Sequence, residues 1–578
     1  MLRLHSLLVV LLLLGLTACK SSTPTQSLSE NNAERSRERV VGKAGGSVTY
    51  RLTAPPQSFN YLKIADEPSL IVAFYLLGGR LVEFDHETGT YVPGVAERWQ
   101  LAADGRTVDV TLREGVKFSD GQPLTAQDVA FTFRALYDER TASPAFRDAM
   151  LIGGRPIEVR VTDARRLQLV FPETVAVPES YMSNLAVLPL HVLEADFKRG
   201  TLRDAYGLGA PPQNIVTAGA YAVSAVAPGE RITLRRNPHY WKKDTAGNPL
   251  PYLDQLVLEV VSDANNALAR VQQGEVDLID RIRPTDYAAL RLQTGNARAV
   301  DAGPGLSTDH LWFNLTPQAD AAKRPWFNEV RFRRAVSQAI DRKSIAKITL
   351  QGLATPLFGF VSPGNRAWVA SDLPQADFDL EKARALLIEA GFALRGTPQT
   401  PELFDASGNR VEFTLLAPAE SQPRMMTAAV IQEDLAKLGI KMQVAPLEFG
   451  ELRRRIEQSF AYDAALLGAS VTEPDPSSYS NFLRSSSPSH QWHPNQATPA
   501  TPWEARIDEL LNQQARATKP EQRRALFREV QAILAEQLPV IPIVARHLAS
   551  AANARVGNHR PSTILPYSLW NAEELFIR

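Results

Sequence analysis

The only cysteine in this chain is Cys19, and its position makes it chemically informative. It closes the stretch Leu16-Thr17-Ala18-Cys19, behind an apolar run from Leu7 to Leu14 and the positive residue Arg3. That run is about half of the roughly 20 residues that span a bilayer, so it reads as a secretory leader ending at a reactive thiol. A second candidate is His490-x-x-His493, a spacing that two metal ligands could use. It lies in a Ser/Pro-rich loop with no third donor nearby, which argues against a metal centre. The sequence contains no Gly-x-Ser-x-Gly elbow and no phosphate-cradling glycine loop. We therefore expect neither catalysis nor a cofactor.

The stretch ending at Cys19 resembles the bacterial lipobox, in which the thiol receives a diacylglycerol and becomes the first residue of the mature protein. On that reading residues 1–18 are a signal peptide and 19–44 a lipidated tether. Lys20 to Lys43 is rich in Ser, Thr, Asn, Glu and Arg and has almost no large apolar residue, so it cannot bury enough surface to fold. Two or three acyl chains on one residue suffice for anchoring, each buried methylene adding about 0.8 kcal/mol. The expected location is the cell envelope, in the periplasm or on the outer face of the cytoplasmic membrane.

At 578 residues the chain exceeds the ~250–300 at which single cores stop growing, so more than one lobe is expected. Lys plus Arg number 63 and Asp plus Glu 63, a balance that argues against a nucleic-acid partner. Strand alternation runs from Ser47 to Thr53 and from Arg106 to Arg113, with a further short strand expected over Gly115 to Phe118. A helix follows from Pro68 to Leu77, and another opens at Thr125 with Asp128 as its acidic capping partner. In the second half, Asp379 caps a helix stopped by Gly391, and Pro423 to Leu438 is a helix ended by Gly439 that feeds the strand Ile440 to Val444. Thr518 opens a further helix before the strand Leu538 to Val544. Mixed sheets early and β-α-β units later make an α/β chain with more than one lobe.

Several ordered runs resemble family 5 of the bacterial extracellular solute-binding proteins, the oligopeptide, dipeptide and nickel group. They are Pro93 to Trp99, Leu112-Arg113-Glu114-Gly115-Val116-Lys117-Phe118, and Leu124-Thr125-Ala126-Gln127-Asp128-Val129. Arg236-Asn237-Pro238 with Tyr240-Trp241, Pro251 to Asp254, Gly274 to Leu278, and Ala339 to Arg342 agree with them. The resemblance implies a two-lobed periplasmic-binding-protein-like clamp with a small α/β domain inserted in lobe one. Lobe one would comprise 45–79, 180–303 and 546–578, the insert 80–179, and lobe two 304–545. It implies a monomer that captures peptides or peptide-like solutes and delivers them to ABC permease subunits driven by a cytoplasmic ATPase. A tethered receptor or chaperone using the same clamp is the alternative.

The same resemblance implies where ligand sits. The loop after the first strand contributes Ala65, Asp66 and Glu67, and the stretch after Thr141 to Pro144 contributes Ala145. The turn at Thr217 and Gly219 and the segment Gly468 to Pro476 complete the cleft, the latter through Ala469, Ser470, Thr472, Glu473 and Asp475. Trp312 and Asn314, on a strand near the expected crossing, are read as either cleft or core residues, with the cleft preferred. Relatives that bind oligopeptides have an aromatic where Ala469 stands and an ammonium-pairing aspartate where Thr472 stands. Ala145 likewise replaces a tyrosine, and Glu457 an arginine. A threonine hydroxyl cannot supply a charge-assisted hydrogen bond. We therefore expect a roomier pocket, with Asp66, Glu67, Glu473 and Asp475 favouring an amine-bearing ligand.

Overall fold

Two long antiparallel strands, Ala297–Phe313 and Val540–Asn553, run through the middle of one sheet of 11 strands. The structure is a computed structural model that describes residues 40–64, 66–293 and 295–578 and leaves the side chain of Ala145 undescribed. Cys19 and Ala65 lie outside the described residues.

On one side of the long pair come Leu278–Asp280, Ser47–Leu52, Gln255–Val260, Arg231–Arg236 and Tyr221–Ala227. On the other side come Ala464–Ala469, Glu412–Pro418 and Lys441–Leu447. The apolar cores divide with them. Val48, Leu52, Leu258 and Leu278 pack in one cluster with residues of the C-terminal tail, including Leu569 and Leu575. Leu311, Phe313, Phe413, Ile431 and Ile543 pack in another. Register slips between Asp301 and Pro304, between Pro304 and Thr308, and between Asp309 and His310 interrupt the long pair between those cores. Such irregularities bend a strand and loosen its ladder, which suits a place where two lobes turn on each other.

A four-stranded antiparallel sheet made of Ala96–Leu101, Thr107–Leu112, Arg166–Val170 and Glu158–Val161 stands apart from the large sheet. Helix Ala126–Tyr137 belongs to the same part of the chain, and its Val129, Phe133 and Leu136 are buried. The Thr125 N–H donates to Asp128 Oδ2 at 2.8 Å, and the other carboxylate oxygen accepts from Leu190 N at 2.9 Å. One side chain therefore starts the helix and ties it to the next element.

Local expectations and structure differ where turn chemistry wins. The expected strand Gly115 to Phe118 shrinks to a short antiparallel bridge: Gly115 is in a turn with φ +73°, Lys117 pairs with Pro123, and Phe118 N donates to the Gln122 carbonyl at 2.9 Å. The helix expected from Pro68 opens at Glu67 under Asp66 and winds on through Leu70–Leu76 with wider π-type turns. The last helix starts at Pro520 rather than Thr518. The strand that follows starts at Val540, because Leu538 takes a left-handed conformation (φ +45°) that ends the helix, and it runs on to Asn553.

Candidate functional site between the lobes

The loop leaving strand Ala464–Ala469 is held at two points, and what it presents follows from them. Asp475 accepts two hydrogen bonds from Arg523, Nη1 to Oδ2 at 2.8 Å and Nη2 to Oδ1 at 3.0 Å, while capping the turn Pro476–Tyr479 through Ser477 N. Asn365 Nδ2 donates to the Pro474 carbonyl at 2.8 Å. With its neighbours fixed to lobe two, Glu473 turns the other way and meets Asn184, whose Nδ2 lies 3.5 Å from Oε1. Asn184 caps helix Pro178–Ser183 on the far side of the long strands.

Tyrosines surround that carboxylate. Burial raises the Tyr75 phenol, with Arg80 lowering it and Glu473 raising it. Burial likewise holds Tyr91 well above its ordinary value, with Glu473, Asp475 and Glu179 adding negative potential. Burial raises Glu473 itself, Asn184 opposes that shift, and Asp475 adds to it. A carboxylate so placed has one long hydrogen bond, a desolvated setting and no ion pair among the described residues. An arriving ammonium would supply what it lacks, since a charge-assisted bond is about twice as strong as a neutral one.

The other expected site residues divide sharply. Asp66 caps its helix through Ser69 N at 2.9 Å and keeps a buried, unpartnered Oδ2. Glu67 pairs with Arg281 at 2.6 Å and accepts from the Tyr567 hydroxyl at 3.3 Å. Its hollow opens at the carboxyl end of strand Ser47–Leu52, where open α/β sheets usually receive ligands. Thr217 brackets Ser119, accepting from its N–H and donating to its Oγ, and leaves its own hydroxyl buried without a partner. Ser470 and Thr472 are exposed on the same loop as Glu473, and Ala469 is buried at its base.

Three expectations meet structural roles instead. Gly219 packs against the end of the Leu70–Leu76 segment; a Cβ there would lie 2.5 Å from the Leu77 carbonyl, so the glycine serves backbone approach. Trp312 is 2% exposed in the lobe-two core. Asn314, wholly buried, donates to the Phe460 and Tyr462 carbonyls at 2.9 Å and accepts from Thr316, which uses up its amide. Asp475 is also spent, on Arg523. Neither His490 nor His493 joins a metal cluster: among the described residues no three His, Cys, Asp or Glu side chains gather suitably. His490 lies instead beside Glu504, 3.5 Å away, and stacks on Trp492.

Sequence reading missed Asn184, Tyr75, Tyr91 and Arg80. They come from distant, unremarkable stretches, and the backbone pairing of Arg80 with Ala186 brings the Arg80 stretch beside that of Asn184. It also missed Asp309, which is 5% exposed and bound by Arg424 at 2.8 Å and by Arg546 at 3.1 Å. That carboxylate ties the start of helix Gln422–Ala436 to both crossing strands.

Comparison with known proteins gives this arrangement its context. Residues 90–491 match the bacterial extracellular solute-binding proteins, family 5 middle. The chain is 31% identical over 409 residues to a probable ABC transporter-binding protein of Deinococcus radiodurans, covering 68% of each. It is 26% identical over 511 residues to di/tripeptide-binding protein 3 of Pseudomonas aeruginosa, covering 85% of this chain and 87% of that one. Among solved structures, the ABC transporter substrate binding protein CtaP of Listeria monocytogenes superposes with a TM-score of 0.74 at 21% identity, over 93% of this chain and all of that one. The fold is thus the two-lobed clamp.

Proposed function

We propose that this chain, which belongs to the family 5 bacterial extracellular solute-binding proteins, captures peptides or peptide-like solutes between its lobes for an ABC permease. As a solute-binding protein it is not an enzyme: it carries its ligand unchanged. The observation that supports a peptide-like ligand is Glu473, a desolvated carboxylate turned across the cleft with one 3.5 Å hydrogen bond. A peptide ammonium would complete it. A relative named as a di/tripeptide-binding protein agrees with that chemistry.

In this reading, ligand bridges Glu473 on one lobe and the Tyr75–Asn184 face on the other. It stabilises the closed clamp by its greater affinity for that form. The slips in the long strand pair supply the hinge. Cys19 is acylated and holds the protein at the membrane outside the cytoplasm, where a monomer meets its permease. Among the described residues no helix is long and apolar enough to cross a membrane, so a permease must be a separate chain for transport to occur.

Native mass spectrometry of the full chain, extracted in detergent and then denatured, tests this reading. The expected result is a monomer whose mass includes acyl chains and which releases intact short peptides. Release of only sugars, single metal ions or nothing peptide-like would overturn the ligand class.

A further inference from the structure

His547 bridges the hinge. It lies on strand Val540–Asn553 opposite Pro304, and the register slips on either side of that pairing, between Asp301 and Pro304 and between Pro304 and Thr308. Its Nδ1 is 2.8 Å from Asp301 Oδ2 and its Nε2 is 2.7 Å from Thr355 Oγ1. The two partners stand on opposite sides of the slips. Asp301 comes two residues after Ala299, which packs with Val276, Ile279 and Ala551 on the lobe-one side. Thr355 lies on the short strand Ala354–Pro356, whose Ala354 packs with Leu311 and Ile543 in the lobe-two core. One imidazole, its side chain 13% exposed, thus spans the place where the lobes turn.

Its partners are aimed at it. Asp301 Oδ1 accepts from Gly303 N at 2.8 Å, in a turn that needs the glycine's φ of +93°, so Oδ2 is left for the ring. His547 N donates to the Leu353 carbonyl at 3.0 Å, which seats the ring beside Thr355. A carboxylate only accepts, so Nδ1 carries a proton, and in the neutral ring Nε2 accepts from the Thr355 hydroxyl. A second proton, on Nε2, turns the Asp301 contact into an ion pair and makes Thr355 the acceptor. The first change outweighs the second, since a charge-assisted bond is about twice as strong as a neutral one.

Charged neighbours are committed elsewhere. Arg546 and Arg424 pair with Asp309. Helix Pro284–Arg291 packs on both long strands and brings Tyr287, whose phenol is raised by burial and then by Asp301, with Arg291 lowering it. Arg283 and Asp286 at the start of that helix hold each other at 2.7 Å. Strand Ala354–Pro356 adds no charge, and Lys347, on the turn packed against it, is exposed. Histidine is the side chain that ordinarily changes charge between pH 5 and 8. Burial lowers His86 and His559 to about 3 and His310 to about 4, so those three stay neutral across that range.

Resting on the capture reading above, we propose that His547 is a proton-operated latch in the hinge: its imidazolium, held between Asp301 and Thr355, stabilises the closed clamp, so that closing on a ligand takes up a proton. The described form is a closed one, in that Glu473 of lobe two meets Asn184 across the cleft. Opening turns the strands at the slips and draws Asp301 away from the ring, which weakens the ring's hold on its proton. By reciprocity, acid tightens ligand binding by the same factor by which ligand tightens proton binding. Capture is then favoured in acid and release at higher pH.

The test compares the full chain, extracted in detergent, with His547→Gln and Asp301→Asn. Hydrogen exchange of the ligand-free proteins, corrected for the intrinsic effect of pH, reads closure without any ligand. In wild type, protection of the loop Ser470 to Asp475 should rise from pH 8 to pH 6; in both variants it should stay level. An equimolar pool of di- to pentapeptides then supplies a probe, and the peptide retained most tightly is titrated by calorimetry in two buffers of different ionisation heat. Wild type should take up a proton on binding and hold the peptide about fivefold or more tighter at pH 6 than at pH 8. His547→Gln should take up none and bind alike at both, and Asp301→Asn, which keeps the ring but removes its counter-charge, should lose most of the dependence. Should H547Q fail to fold, D301N carries the same comparison. A flat wild-type response, or one that the variants retain, would overturn the latch and leave the peptide reading standing. Retention of no peptide at either pH would overturn the peptide reading, with the latch then decided by exchange.

Discussion

Arg523 grips Asp475 with both ends of its guanidinium, at 2.8 and 3.0 Å, and so spends one of the two acids of the loop on an ion pair. Arg523 is itself 5% exposed and lies over Trp368, 5.0 Å from the ring centroid. The pair sets the loop so that Glu473, two residues earlier, crosses toward Asn184. Acidic side chains so close in sequence thus have separate duties.

Those duties separate in mutants. Asp475→Asn leaves Arg523 buried without its counter-charge and should cost about 3–5 kcal/mol of stability, read as a lowered urea midpoint. Glu473→Gln should leave that midpoint almost unchanged and weaken an amine-bearing ligand tenfold or more in calorimetry. Equal loss of affinity in both variants, with equal midpoints, would refute the division.

Acid should weaken the lobe-two loop through Glu504. Burial alone would raise this carboxyl, but hydrogen bonds from Gln496, Thr501 and Trp492, with His490 3.5 Å away, bring it down to about 2. A folded pKa below the unfolded value of about 4.3 gives stability that is complete above that value and lost as pH falls toward 2. The loss amounts to roughly 3 kcal/mol across that window. Unfolding free energies of wild type and Glu504→Gln, compared from pH 6 to pH 3, should therefore converge as pH drops. A constant gap would count against it.

Asp309 should govern the hinge end of lobe two. Asp309→Asn leaves Arg424 and Arg546 facing each other with no carboxylate between them, at a cost of several kcal/mol. Hydrogen exchange should rise first in the start of helix Gln422–Ala436 and in strand Ala297–Phe313, since both are tied to that side chain. Unchanged exchange at both elements would show that the ion cluster carries no weight.

Cys19→Ser should abolish incorporation of labelled fatty acid and move the protein from the membrane fraction to the soluble one. Continued membrane retention without label would mean that another contact holds it there.

The fold was legible in the chain because it rests on local and ordered signals. The Thr125–Asp128 cap, the Asp379 cap and the left-handed glycines at 391 and 439 each depend on a few neighbouring residues, and the structure bears them out. The family runs from Pro93 to Arg342 fixed the clamp for the same reason: turns and caps are written contiguously. Gly115 to Phe118 was legible in part: a glycine with positive φ delays the pairing, which starts at Val116 and is only a bridge long.

The site was legible only in outline. Sequence pointed to the loop Ser470 to Asp475 but could not tell Glu473 from Asp475, since neither residue's fate is decided locally. Arg523, 48 residues onward, claims one of them, and Asn184, from the other side of the cleft, receives the other. Trp312 and Asn314 looked like cleft residues by their nearness to the crossing, yet Trp312 is packed in the core and Asn314, just past the strand's end, bonds backbone carbonyls. The chain by itself thus determined the family and the two-lobed fold. Tertiary structure decided which charges are spent and which remain open, because pairing in a low-dielectric interior is a matter of distance between segments that sequence does not order.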